Sequence, residues 1–153
     1  MNLRAVAWLL GCAVLLLAGF LLVPAGVALV YGEPEALQGC IVSAVISALF
    51  GALLVSANRG AAVSAEGRLD YFRREGLAVV GLTWIAAGVV GALPYLFSGV
   101  LRSPVDAFFE SASGFTTTGS TILPGDAIDA LPRSIAFWRS FTHWLGGIGI
   151  VMV

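Results

Sequence analysis

The residues with the clearest chemistry are Thr116, Thr117, Thr118 and Gly119, at the centre of the run Ser113-Gly114-Phe115-Thr116-Thr117-Thr118-Gly119-Ser120-Thr121. Each threonine brings a backbone carbonyl, and the glycine permits a backbone angle that residues with a Cβ disfavour. A loop of this kind can turn its carbonyl oxygens toward an ion and replace the water that the ion sheds. Potassium is the natural guest, because its dehydration costs less than that of sodium. The same composition also fits a solvated Ser/Thr/Gly loop beside an interfacial helix, and composition alone leaves both readings open.

The setting of the run gives it weight. The chain has 153 residues, 59% of them hydrophobic and 11% charged, with a mean hydropathy of +0.96. Soluble domains carry about 25% charged residues, so the composition predicts an all-α membrane protein. Irregular backbone at membrane depth persists only where it is buried in protein or lines a watery cavity. The net charge of -1 offers no basic surface for nucleic acid. Cys12 and Cys40 lie in or beside apolar runs without metal-ligand spacing and read as buried free thiols. Ser111, Ser113 and His143 are framed by no nucleophile motif, and no P-loop, HExxH or cysteine–histidine cluster is present. Neither an enzyme nor a cofactor is expected.

The elements that must position the loop follow from the apolar runs. Spans are expected over about Ala5–Tyr31, Leu37–Ala57 and Leu77–Phe97, with Pro24 kinking the first near its far end and Pro94 marking the end of the third. Between the second and third lies a polar segment with Arg59, Arg68, Arg73 and Arg74. Cytoplasmic loops hold the excess of basic residues, so this segment and the amino terminus are expected inside, and the Glu33/Glu35 link outside.

Ser103-Pro104-Val105-Asp106 is a helix start, with Ser103 as cap, Pro104 in the first turn and Asp106 at the capping-box position. Gly114 is expected to end that helix in a left-handed conformation. About ten residues give roughly 15 Å, half of the ~30 Å hydrocarbon core. Such a segment lies in the interface or dips in and returns. If it dips, its carboxyl end points at the middle of the membrane, and the partial negative charge there favours a cation. A last apolar segment runs from Ser134 to Val153, and the chain is expected to end inside a helix.

Arg139 in that last segment is costly unless paired. Glu110 is the expected partner, as a structural clamp, with reach toward headgroups as the alternative. His143, four residues on, shares a face with Arg139 and reads first as a packed polar residue and second as a gating group. Gly146, Gly147 and Gly149 read as close packing against the loop before they read as a hinge.

The ordered set of motifs resembles a known family. Asp106-Ala107-Phe108-Phe109-Glu110-Ser111 through Gly119 resembles the first pore loop of the Trk/Ktr/HKT potassium transporters, nearest to the TrkH-like branch. Phe137-Trp138-Arg139 and Trp144-Leu145-Gly146-Gly147-Ile148-Gly149-Ile150 resemble the family's first inner helix, and Val23-Pro24-Ala25-Gly26 and Gly91-Ala92-Leu93-Pro94 also match. The resemblance implies four helix–pore-loop–helix repeats around one pore, preceded by an extra helix pair. Residues 1–58 would be that leading pair, 59–76 a cytoplasmic Arg-rich loop, and 77–153 an incomplete first repeat with a truncated last helix.

The resemblance further implies that Thr117 and Thr118 bind K+ through their carbonyls. Thr116 would be beside them, Gly119 would be the filter glycine, and Gly114, Glu110 and Arg139 would support the loop. Relatives with Ser at the glycine position favour sodium, so Gly119 leans toward potassium. The implied partners are potassium, the lipid bilayer, the missing repeats or further copies of the chain, and a cytoplasmic nucleotide-binding regulatory subunit. The implied location is a bacterial-type inner membrane. The alternative function class is a non-conducting membrane fragment or module that packs against a partner.

Overall fold

The computed structural model describes residues 3–60 and 72–152. Arg68 and the centre of the expected basic loop lie outside the described residues. The helices are α1 Leu3–Phe20, α2 Leu22–Tyr31, α3 Pro34–Ala57, α4 Phe72–Phe97, α5 Pro104–Phe115, α6 Gly125–Asp129 and α7 Arg133–Met152. Among the described residues there is no strand. Among the described residues three spans are long and apolar enough to cross a membrane: Leu3–Tyr31, Pro34–Ala57 and Gly76–Phe97. The helix expected from Leu77 begins at Phe72, so its first turn falls inside the segment expected as loop.

Pro24 disturbs the first span near its far end, as expected, whereas Pro94 does not end the third. Pro24 has no N–H and its ring crowds the carbonyl four residues earlier, that of Phe20. The regular helix is accordingly interrupted at Leu21, between α1 and α2, about one turn before the proline. Leu21 N–H still donates to Leu17 at 3.1 Å and Ala25 N–H to Leu21 at 3.4 Å, so the span continues through the interruption. Pro94 lies inside α4 and does not mark its end. A proline deprives the preceding turn of a donor, but its own carbonyl still accepts, here from Ser98 N–H at 3.0 Å.

Small residues set the helix contacts. A Cβ at Gly11 would come 2.8 Å from Leu54 Cβ, and one at Gly51 would come 2.9 Å from Leu15 Cγ, so α1 and α3 cross backbone to backbone there. A Cβ at Gly39 would come 2.6 Å from Ser98 N, which seats α3 against the end of α4. In an apolar solvent such close approach replaces the hydrophobic drive between helices.

The start of α7 is held from far along the chain. Glu33 Oε1 accepts from Arg133 N–H at 2.6 Å. Its Oε2 accepts from Ser134 N–H at 3.0 Å and from Ser134 Oγ–H at 2.5 Å. The guanidinium of Arg133 lies 4.8 Å from the centre of the Tyr31 ring. Burial alone would raise the Glu33 pKa, but the Ser134 and Arg133 hydrogen bonds and the Arg133 charge outweigh it, and the net shift is below the ordinary 4.5.

Two outcomes follow. Gly51→Leu should destabilise the protein by about 1–3 kcal/mol through overpacking, whereas Gly26→Ala, with nothing within 4 Å of its Cβ, should be near neutral; thermal scans in detergent compare them. Because the folded pKa of Glu33 is depressed, its contribution is fully present above 4.5 and is lost as pH falls through the folded value. The stability difference between the protein and Glu33→Gln should be constant from neutrality to the ordinary carboxylate value and shrink only below it.

Candidate functional site

The twelve residues of α5 rise roughly 18 Å. Ser103 caps the helix, its Oγ accepting from Asp106 N–H at 3.3 Å. The helix descends between α4 and α7. On the α4 side, a Cβ at Gly88 would meet the Phe108 ring at 2.7 Å, and one at Gly91 would meet Ser111 Oγ and the Phe115 ring. On the α7 side, a Cβ at Gly146 would run into the Phe115 carbonyl. Gly146 lies thirteen residues past Arg133, or roughly 20 Å down its helix. The end of α5 is therefore deep in the bundle, while the start of α7 is back at the Glu33 end.

The chain returns along α5 itself. Thr118 N–H donates to the Ser113 carbonyl at 3.0 Å, Ser113 Oγ–H donates to the Ser120 carbonyl at 2.6 Å, and Thr121 reaches Glu110 at 3.0 Å. Loop numbers rise as helix numbers fall. This is a hairpin of one helix and one irregular return segment.

The helix ends differently from the expectation. Gly114 is inside α5 and Thr116, the capping residue, has φ -79. The left-handed position falls on Thr117, with φ 56. Thr117 N–H donates to Gly114 and Thr118 N–H to Ser113, the pair of bonds of a Schellman motif. Gly114 is needed for another reason: a Cβ there would collide with Thr142 Oγ1. The missing side chain admits α7 and leaves the turn to Thr117.

From Thr116 to Gly119 the sign of φ alternates. Thr116 is negative, Thr117 positive, Thr118 outside the positive-φ set, and Gly119 positive at 76. Alternating handedness turns successive peptide groups so that like atoms face the same way. Among the described residues no hydrogen bond ends on the carbonyls of Thr116, Thr117, Thr118 or Gly119, and all four residues are exposed. Thr116 Oγ–H donates to the Ala112 carbonyl at 2.8 Å. Its one proton is thereby used, so the 2.8 Å contact with Thr118 is a bond donated by the Thr118 hydroxyl.

Behind this segment, Glu110 is 1% exposed. Its carboxylate accepts from Arg139 Nε at 2.6 Å, from Thr121 Oγ–H, and from Ile122 N–H at 3.2 Å. His143 Nδ1 lies 2.8 Å from the Arg139 carbonyl, against its own helix. Trp138 Nε1–H donates to the Gly91 carbonyl at 3.0 Å and ties α7 to α4. Cys12 and Cys40 are free thiols, and among the described residues no group of three or more His, Cys, Asp or Glu could hold a metal. Sequence reasoning missed Thr121, Thr142 and Glu33. A hydroxyl eleven residues past a buried acid carries no local signal, and neither does an acid a hundred residues from the helix it caps.

A family profile described as a cation transport protein, TrkH, matches residues 42–153. The chain belongs to this family. It is 39% identical over 157 aligned residues to the Trk system potassium uptake protein TrkH of Escherichia coli K12, covering 100% of this chain and 30% of that protein. An uncharacterized cation transporter of Methanocaldococcus jannaschii is 32% identical, covering 99% of this chain and 30% of the relative. The crystal structure of the potassium transporter TrkH from Vibrio parahaemolyticus superposes with a TM-score of 0.86 at 33% identity, over 99% of this chain and 31% of that one. The chain thus spans about 30% of the length of the curated relatives it matches. Family and apolar spans make it a multi-pass membrane protein of a non-enzyme class.

The buried carboxylate generates a prediction for this TrkH-family chain. Glu110→Gln breaks its ion pair, and the cost should be about 3 kcal/mol, the lower end for a buried pair, because Arg139 keeps 22% exposure. Equilibrium unfolding measures it; a loss under about 1 kcal/mol would place the pair with solvent-screened surface bridges.

Proposed function

We propose that the chain supplies one wall of a potassium-selective pore in a Trk-type uptake transporter, with Thr117 and Thr118 presenting carbonyls to K+ beside Thr116 and Gly119. The observation that carries this reading is the alternation of backbone handedness over residues 116–119, at the foot of a half-length helix. Four carbonyls without protein partners are grouped where the α5 dipole is negative. Carbonyl oxygens of this kind replace the hydration shell of an ion. The potassium uptake proteins among the relatives support potassium as the cargo. Gly114, Glu110 and Arg139 would hold the wall in place.

In this reading the leading helix pair is residues 1–58 and the repeat is 77–153. The amino terminus and the Arg-rich segment 59–76 face the cytoplasm of a bacterial-type inner membrane. The remaining walls would come from further repeats of the same transporter or from further copies of the chain, and a cytoplasmic nucleotide-binding subunit would regulate the assembly.

The test is a chimera in which this chain replaces the matching amino-terminal portion of the Escherichia coli TrkH. The expected outcome is restored growth of potassium-uptake-deficient cells on low potassium. Gly119→Asp should abolish that growth. Nothing lies within 4 Å of a Cβ at Gly119, so the damage would come from backbone angle and charge, with packing untouched. Normal growth of the Gly119→Asp chimera would remove the loop from the pore.

A further inference from the structure

The start of α7 is an unusual helix terminus. Its first N–H groups have no partners within the helix, and the capping position is Pro132, whose carbonyl accepts from Ala136 N–H at 2.9 Å but whose side chain has no acceptor. A serine or aspartate there would serve. The acceptor comes instead from Glu33, a hundred residues earlier, whose two oxygens take Arg133 N–H, Ser134 N–H and Ser134 Oγ–H.

Glu33 is itself rigidly placed. Gly32, with φ 67, ends α2 in a left-handed turn, and Glu33 N–H donates to the Ala28 carbonyl at 2.9 Å. Pro34 opens α3 and restricts the residue before it. The link between the two leading helices is thus a short fixed bracket with a carboxylate at its tip. The charged and titratable groups facing it are Arg133 on α7, Tyr31 beneath that guanidinium, and Cys40 on α3.

The consequence lies farther down α7. Three of the supports of the hairpin stand on that helix: Arg139 against Glu110, Thr142 in the notch of Gly114, and Gly146 under the Phe115 carbonyl. A slide of one residue would move each by about 1.5 Å along the axis and turn it by about 100°. The Gly146 contact has no room for even one added carbon.

We infer that Glu33 is a positioning residue for the pore loop, by which the leading helix pair sets the register of α7. The inference rests on the pore reading of residues 116–119. A cap alone would be satisfied by any acceptor at the helix start, whereas a positioning role requires that the acceptor belong to the α2–α3 link.

The experiment compares Glu33→Ala with Glu33→Ala/Pro132→Asp, the second of which restores a local cap without the tether. In the chimera, both should raise the KM for rubidium, a potassium stand-in, by roughly threefold or more and weaken discrimination against sodium, at equal amounts in the membrane. Glu33→Asp should recover most of the loss. Full recovery by Pro132→Asp would overturn the inference in favour of simple capping. In the purified protein, hydrogen exchange at the Thr117 and Thr118 amides should accelerate in both variants, again on the order of threefold. Unchanged exchange there would overturn the inference whether or not the chimera transports. Failure of the chimera bearing the unaltered chain would count against the pore reading alone.

Discussion

One buried carboxylate holds three separate pieces of this chain at a single point. Glu110 belongs to the short helix, Thr121 and Ile122 to the return segment, and Arg139 to the last helix, and all meet at its two oxygens. A charge taken out of water is tolerable only when its lone pairs are matched, and here the matching groups come from three segments that meet at one point. The irregular segment needs this. It has few backbone partners of its own, and side-chain ties must hold a segment that regular structure does not. The carboxylate and the Ser113–Ser120 bond tie the return segment to α5, and among the described residues no hydrogen bond ends on the carbonyls of residues 116–119.

Glycine does complementary work. Gly88 and Gly91 receive one face of the short helix, Gly146 receives its last carbonyl, and Gly114 admits Thr142. These contacts are steric, without direction, and bring helices to backbone distance. The polar ties then choose among the positions that this distance allows. Gly119 stands apart, because its surroundings are open and its requirement is conformational, a φ of 76.

Much of this was legible in the residues. The half-length helix follows from Ser103, Pro104 and the apolar pair Phe108-Phe109, with an end expected at Gly114, because capping and length are local properties. The family resemblance rests on motifs that survive as contiguous strings. The Arg139–Glu110 contact was expected because a charge inside an apolar helix demands a partner and the choice of acids was small. What was not legible depended on distance in sequence. Glu33 precedes a proline and reads as part of an acidic link, and nothing near it announces a helix that starts a hundred residues later. The role given to Gly114 failed for a related reason. A glycine near a helix end has two uses, a left-handed turn or a tight contact, and only the position of Thr142 decides between them. Pro94 was read as a terminus because proline removes a donor, but the helix loses only that bond and keeps its next turn.

Two Schellman ends among the described residues make an instructive pair. At the close of α2 the left-handed residue is Gly32, which adopts that angle freely; at the close of α5 it is Thr117, a β-branched residue for which the same angle costs about 1–2 kcal/mol. A glycine at Thr117 would relieve that cost and would also open many more backbone states to the unfolded and the folded loop. The threonine therefore trades stability for narrowness of distribution. The spacing between neighbouring oxygens at residues 116–119 is held by a residue with few alternatives, so thermal fluctuation broadens that spacing less than it would around glycine.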